Sequence, residues 1–166
     1  MVTFRVEWTG LKESLGFIER LGVNAERIVG RGVGRAAIRV QEDIRNHVEN
    51  MIYAQPSSNT GYQRTHTLMR SVHASHPDAD HVSDEARARG GQNLMATSPD
   101  GIVEASGGVL VSEVGSWISY AALVHQGVNQ PQPRPFIAFA VPAAETALEV
   151  EIMTVILEEL AKAPHM

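Results

Sequence analysis

Ser119 to Ala144 reads SYAALVHQGVNQPQPRPFIAFAVPAA, the densest turn chemistry in a chain of 166 residues. Tyr120 to Val124 is apolar enough to be buried, Gly127 frees the backbone to turn, and Pro131, Pro133 and Pro135 stiffen the next residues into an extended segment. Phe136 is thereby delivered to a fixed place. From there the pattern turns helical to about Lys162, and Pro142 is tolerated because the first turn of a helix has no use for its missing N–H. Two apolar stripes run along that helix: Ala144, Leu148, Ile152, Val155, Ile156 and Leu160 form one, and Ala147, Val150, Met153 and Leu157 the other. Their combined arc is wider than a surface helix needs, so another subunit is expected to cover the excess. Glu145, Glu149, Glu151, Glu158 and Glu159 mostly occupy the remaining arc and read as a solvated face.

Upstream, Thr3 to Trp8 alternates with Phe4, Val6 and Trp8 on one side, the period of a half-buried edge strand. Leu11, Leu15, Ile18 and Leu21 share a helical stripe that ends at Gly22. Asn24 is placed to cap a longer helix, in which Val29, Val33, Ala37, Val40, Ile44, Val48 and Met51 recur over about seven turns. Gly30, Gly32 and Gly34 interrupt it, each costing roughly 1 kcal/mol against alanine. A phosphate-cradling loop would need a preceding strand and a Lys-Ser or Lys-Thr ending, so close approach of another backbone, or a kink, is the better account.

Tyr53 to Thr67 is a loop by composition. Leu68 to Ser75, Ile102 to Ala105 and Val109 to Val114 read as strands, the last two joined through Gly107-Gly108. His76 to Gly101 is long and polar and reads as a projecting arm. The expected architecture is a single α+β domain over residues 1–166: a small antiparallel sheet packed against a long central helix and a C-terminal helix, with long projecting loops at 53–67 and 76–101.

The formal charge of −5 and the pI near 5.8 argue against a nucleic-acid coat or an anionic-membrane binder. With no cysteine there is no disulfide, thiolate nucleophile or cysteine-held zinc, as suits a reducing compartment. MVTFRVEWTG lacks the apolar centre of a secretory signal, and the apolar run Phe136 to Ala144 is far short of the ~18 residues of a membrane span, so a soluble protein is expected. Candidate chemistry is thin. His76, Asp78, Asp80, His81, Asp84 and Glu85 cluster in sequence, but their spacing fits neither HExxH nor an EF-hand. They read as a solvated acidic loop, with a small metal-dependent hydrolase as the different-class alternative. No G-x-S-x-G elbow is present, and no catalytic residue, cofactor or metal is assigned. His125, on an apolar run, reads as a structural, hydrogen-bonded residue. Arg64, Arg70 and Arg134 divide evenly between ion pairs across a subunit boundary and plain solvation.

Two segments together carry a resemblance. Tyr120-Ala121, Val124-His125 and Gly127, then a proline-rich stretch ending Arg134-Pro135-Phe136 and a long helix, resemble the HK97 gp10-like tail-component proteins of tailed bacteriophages. Tyr62, Arg64, Thr65, Leu68 and Ser71 in GYQRTHTLMRSV resemble that family's Y-x-R-T-G-x-L-x-x-S pattern, with His66 where the pattern has glycine. A turn that needs positive φ is therefore expected to be reshaped there. Together with the flanking helices, the motifs cover about Gly10 to Lys162. The resemblance implies a structural virion protein rather than an enzyme, without cofactor, assembled in the host cytoplasm. It implies a homo-oligomeric, commonly hexameric, ring at the neck, between the head connector or head-closure protein and the tail tube or tail terminator. DNA would pass through without specific binding. A tail terminator or minor capsid component is the alternative within the same class. The residues it singles out, as structural motif or subunit interface, are Tyr62, Arg64, Thr65, Leu68, Ser71, Tyr120, Ala121, His125, Gly127, Arg134, Pro135 and Phe136.

Overall fold

The computed structural model describes residues 2–7, 25–54, 65–79, 83–91, 98, 100–103, 105–106, 109–127 and 133–162. Helix α1, Ala25–Val48, is its longest element. Ile28, Val29, Val33, Ala36, Ala37, Val40, Ile44 and Val48 are each exposed by 2 % or less, which is the apolar stripe of the sequence turned inward. A wider π-helical turn, Glu49–Tyr53, follows it. The expected helix at Leu11 to Leu21 and the Asn24 cap lie outside the described residues.

Strand β1, Val2–Glu7, pairs antiparallel with β4, Val109–Ser116, in the register Val2↔Ser116 to Glu7↔Val111. On the other side of β4 lies β2, His73–Ala74, and the two-residue β3, Ala105–Ser106, pairs with the start of β4. Among the described residues the sheet is antiparallel throughout, and β1 is an edge strand as expected. The fold is α+β, with helices α1 and α5, Ala140–Lys162, packed together and against the sheet. Val103 continues the approach to α1, its N–H donating to Gly30 O at 3.3 Å.

The helix runs unbroken through its glycines, and close approach explains them. A Cβ on Gly32 would lie 2.9 Å from Ile152 Cα on α5, and one on Gly34 would lie 2.6 Å from Gly101 O. Arg31, Arg35 and Arg39 then meet Glu159, Glu158 and Glu151 at 2.7, 2.7 and 2.6 Å, an order that makes α1 and α5 antiparallel. The expected solvated face of α5 is thus corrected for Glu151, Glu158 and Glu159. Three arginines one turn apart on α1 draw those carboxylates inward, and Glu151 is only 8 % exposed.

Other expectations also change. Leu68 to Ser75 is not one strand: Thr67–Ser71 forms a short helix, α2, and only His73–Ala74 is extended. The reason lies on α1, where Gln41 and Arg45, one turn apart, serve the free edge of β2. Gln41 Oε1 accepts from Ala74 N at 2.7 Å, and the Arg45 guanidinium donates to Val72 O at 2.9 Å, so no further strand is needed there. Nor does all of 76–101 project. His76, Ala79 and Ala86 are buried, and Asp84–Ala88 is a helix, α3, capped by Ser83 Oγ accepting from Ala86 N. Finally α5 starts at Ala140 rather than Phe136, because residues 136–139 form turns closed by Ala138 N to Pro135 O and Ala140 N to Ile137 O.

Candidate functional site

The two segments singled out by the resemblance fold onto one another over the C-terminal half of α1. Leu68, Ala121 and Phe136 belong to one buried cluster with Ile44, Val48, Val72 and Ile118, and Phe136 is fully buried at its centre. Burying a side chain that size contributes ~1.5 to 3 kcal/mol by area alone. Ser71 is buried too. Its hydroxyl donates to Leu68 O at 2.7 Å and lies 2.6 Å from Ser116 Oγ, while Ser75 and Ser112 form a second hydroxyl pair at 3.0 Å. These pairs let the buried face of β4 carry serine at two positions without an unsatisfied hydroxyl.

His66 itself adopts positive φ. His66 has φ 57° and ψ 17°, and it is the one non-glycine residue with positive φ among those described. That conformation costs an L-residue roughly 1 to 2 kcal/mol. Side-chain contacts offset it: His66 Nδ1 lies 2.9 Å from Glu49 Oε2, and its ring stacks on Tyr53 with centroids 4.2 Å apart. Tyr53 also accepts from Leu68 N through its hydroxyl at 3.2 Å. Thr65 is exposed and bonds Thr67 at 2.6 Å. The hydroxyls of Thr67 and Thr65 next to Glu85 of α3 hold that carboxyl below its ordinary range, which ties the motif to the 76–101 segment. Tyr62 and Arg64 lie outside the described residues.

Helix α4, Ala121–Gln126, carries the second segment, and Gly127 ends it in the left-handed conformation, φ 73°, with its N–H on Leu123 O. Arg134 N donates to Val124 O at 3.2 Å, so the end of the proline-rich stretch, with Pro135 behind it, is pinned to α4 before Phe136 enters the core. Tyr120 packs half-buried beside them. The expected burial of Tyr120 to Val124 holds fully only for Ala121, and Leu123 is 44 % exposed. His125 lies edge-on to Phe136 at 5.3 Å, and burial pushes its pKa down. Its Nδ1 is buried without a hydrogen-bond partner among the described residues.

Neighbours in sequence at 76–85 part in space. His76 packs against Gly34 and Gly101 with Nδ1 accepting from Asp78 N at 3.1 Å, whereas Glu85 is engaged by Thr65 and Thr67. No group of three or more His, Asp or Glu able to hold a metal occurs among the described residues; Asp80 and His81 are outside them. The surface that stands out is the outer side of α5. Val150, Met153, Leu157 and Leu160, spaced three, four and three apart, are 42, 56, 59 and 41 % exposed. Compared with family models, curated proteins and solved structures, the chain matches none. Sequence reading found the α5 face but missed Gln41, Arg45 and the arginine ladder, whose only signal was the four-residue spacing of Arg31, Arg35 and Arg39.

Proposed function

We propose that the chain is a structural virion protein of a tailed bacteriophage, a non-enzymatic subunit of a homo-oligomeric ring at the neck or tail-completion position. The observation that carries this reading is the α5 stripe Val150, Met153, Leu157 and Leu160, an apolar row on a helix whose opposite side is already packed on α1. Such a row is stabilised by contact with another surface, and copies of the same chain are the cover a ring supplies. The left-handed His66 gives independent support, because the resembling pattern has glycine at that position. The net charge of −5 suits a wall along which DNA slides without being held.

Size-exclusion chromatography with light scattering, followed by negative-stain microscopy, tests the reading. Rings of uniform diameter are expected from the wild-type chain and monomers from Leu157→Asp, with unchanged far-ultraviolet circular dichroism. A wild-type chain that stays monomeric alone and with head-closure or tail-tube proteins would remove the ring role. Tight, salt-sensitive binding of duplex DNA would favour a nucleic-acid-binding protein instead.

A further inference from the structure

The turn that starts α5 is held by an imidazole on each side. His47, from the last turn of α1, lies against Phe139 with ring centroids 4.3 Å apart and tilted by 37°. His125, from α4, meets Phe136 edge-on at 5.3 Å. Phe136 and Phe139 are the two ends of the same four-residue turn, so these contacts join α1, α4 and the entry to α5. Each imidazole also has one buried nitrogen, His47 Nε2 and His125 Nδ1, without a hydrogen-bond partner among the described residues.

An unpartnered buried nitrogen is tolerable as the bare acceptor of a neutral ring. Protonation turns it into a charged donor with no acceptor in reach among the described residues. The charged side chains on the adjoining elements do not compensate. Asp43 and Arg45 on α1, Glu49 in the π-helical turn and Arg134 before Phe136 leave burial as the cause of the low pKa at both rings. Arg45 is engaged with Val72 O and Glu49 with His66.

We propose that His47 and His125 form an acid-sensitive clamp on the Phe136–Phe139 turn, closed when both rings are neutral and opened when they take up protons. Opening frees Phe139 and the first turn of α5 from α1 and loosens α4, the end of the molecule that carries exposed Leu123, Phe139 and Val141. The clamp is independent of the proposed virion role. The direction of the pH effect follows from the low folded-state pKa of both rings. Unfolding takes up protons once the pH falls below the free imidazole value of about 6.5, so the clamp is fully stabilising above that pH. Its contribution is lost progressively as the pH drops toward the folded-state values.

Amide hydrogen exchange at pH 7.5 and pH 5, corrected for intrinsic rates, reads the clamp directly. Amides 136–140 and 121–126 should exchange at least roughly tenfold faster at the lower pH, while those in the middle of α1 change little. The double variant His47→Phe, His125→Phe, which keeps aromatic contacts but cannot titrate, should lose that difference. Equal pH responses in variant and wild type would overturn the proposal, as would loosening spread evenly over the fold. If the double variant does not fold, titration of the wild-type imidazoles by NMR decides. Both rings should titrate below about 6.5, with shifts at Phe136 and Phe139 tracking them, and a ring that titrates at or above that value refutes the clamp.

Discussion

Gly32→Ala tests the contact that sets the two long helices side by side. Alanine gains about 1 kcal/mol of helix propensity at an interior position. Against that gain, its Cβ would lie 2.5 Å from Ile152 Cγ1, 2.9 Å from Ile152 Cα and 3.1 Å from Ile152 N. A rotamer change can move the first of these atoms, but the other two are backbone, so α5 itself must shift. Overpacking of this kind costs ~1 to 3 kcal/mol, and occasionally more. The shift also strains the Arg31–Glu159 and Arg35–Glu158 contacts, each 2.7 Å long and partly exposed, a minor addition for pairs screened by water. The net expectation is a loss of up to ~2 kcal/mol, or up to about 8 °C in Tm for a chain of this size. Thermal melts and urea unfolding measure it. Ile152→Ala should cost ~2 to 5 kcal/mol alone, and the double variant should cost less than the sum, because removing Cγ1 relieves one of the three clashes. A Gly32→Ala protein that melts higher than wild type, or costs that simply add, would refute the close approach.

Three further substitutions probe the rest of the site. Phe136→Ala should cost ~3 to 5 kcal/mol and, on the proposed ring role, impair assembly, while His125→Ala, losing an imidazole whose buried Nδ1 has no partner among the described residues, should cost less than ~2 kcal/mol; melts and light scattering compare them. His66→Gly and His66→Ala lose the same contacts to Glu49 and Tyr53, but only glycine escapes the left-handed strain. Urea unfolding should therefore place the alanine variant about 1 kcal/mol below the glycine variant. Arg39→Met strands the Glu151 carboxylate, 8 % exposed, at a cost of about 2 kcal/mol at neutral pH, and adding Glu151→Gln should recover most of it in the same assay.

What could be read from the sequence tracks the length of each signal. Helix α1 repeats its apolar stripe from Val29 to Val48, and β1 alternates long enough to show its period, so both were legible. The five residues of α2 span too little chain for a helical period, and LMRSVHAS alternates well enough to pass for a strand. Its true end depends on Gln41 and Arg45, residues whose role exists only once α1 lies beside β2. The acids of α5 misled for a related reason. Composition marks glutamate as solvent-facing, but whether Glu151 meets water or Arg39 is decided by another helix. His66 shows the opposite case, a left-handed residue whose type alone gives no sign of the positive φ it adopts.

Arg31 and Glu159, joined across the two long helices, stand 128 positions apart in the chain, and Val2 finds its strand partner only at Ser116. During translation at roughly 5 to 20 residues per second, the α1 groove would therefore wait roughly 6 to 26 s for the helix that fills it. The glycines that make that groove snug in the finished molecule give α1 little reason to be helical by itself during the interval. The sheet and the helix pair are then expected to form late and nearly together, and Val29, Val33 and Val40 have no α5 to pack against until it emerges.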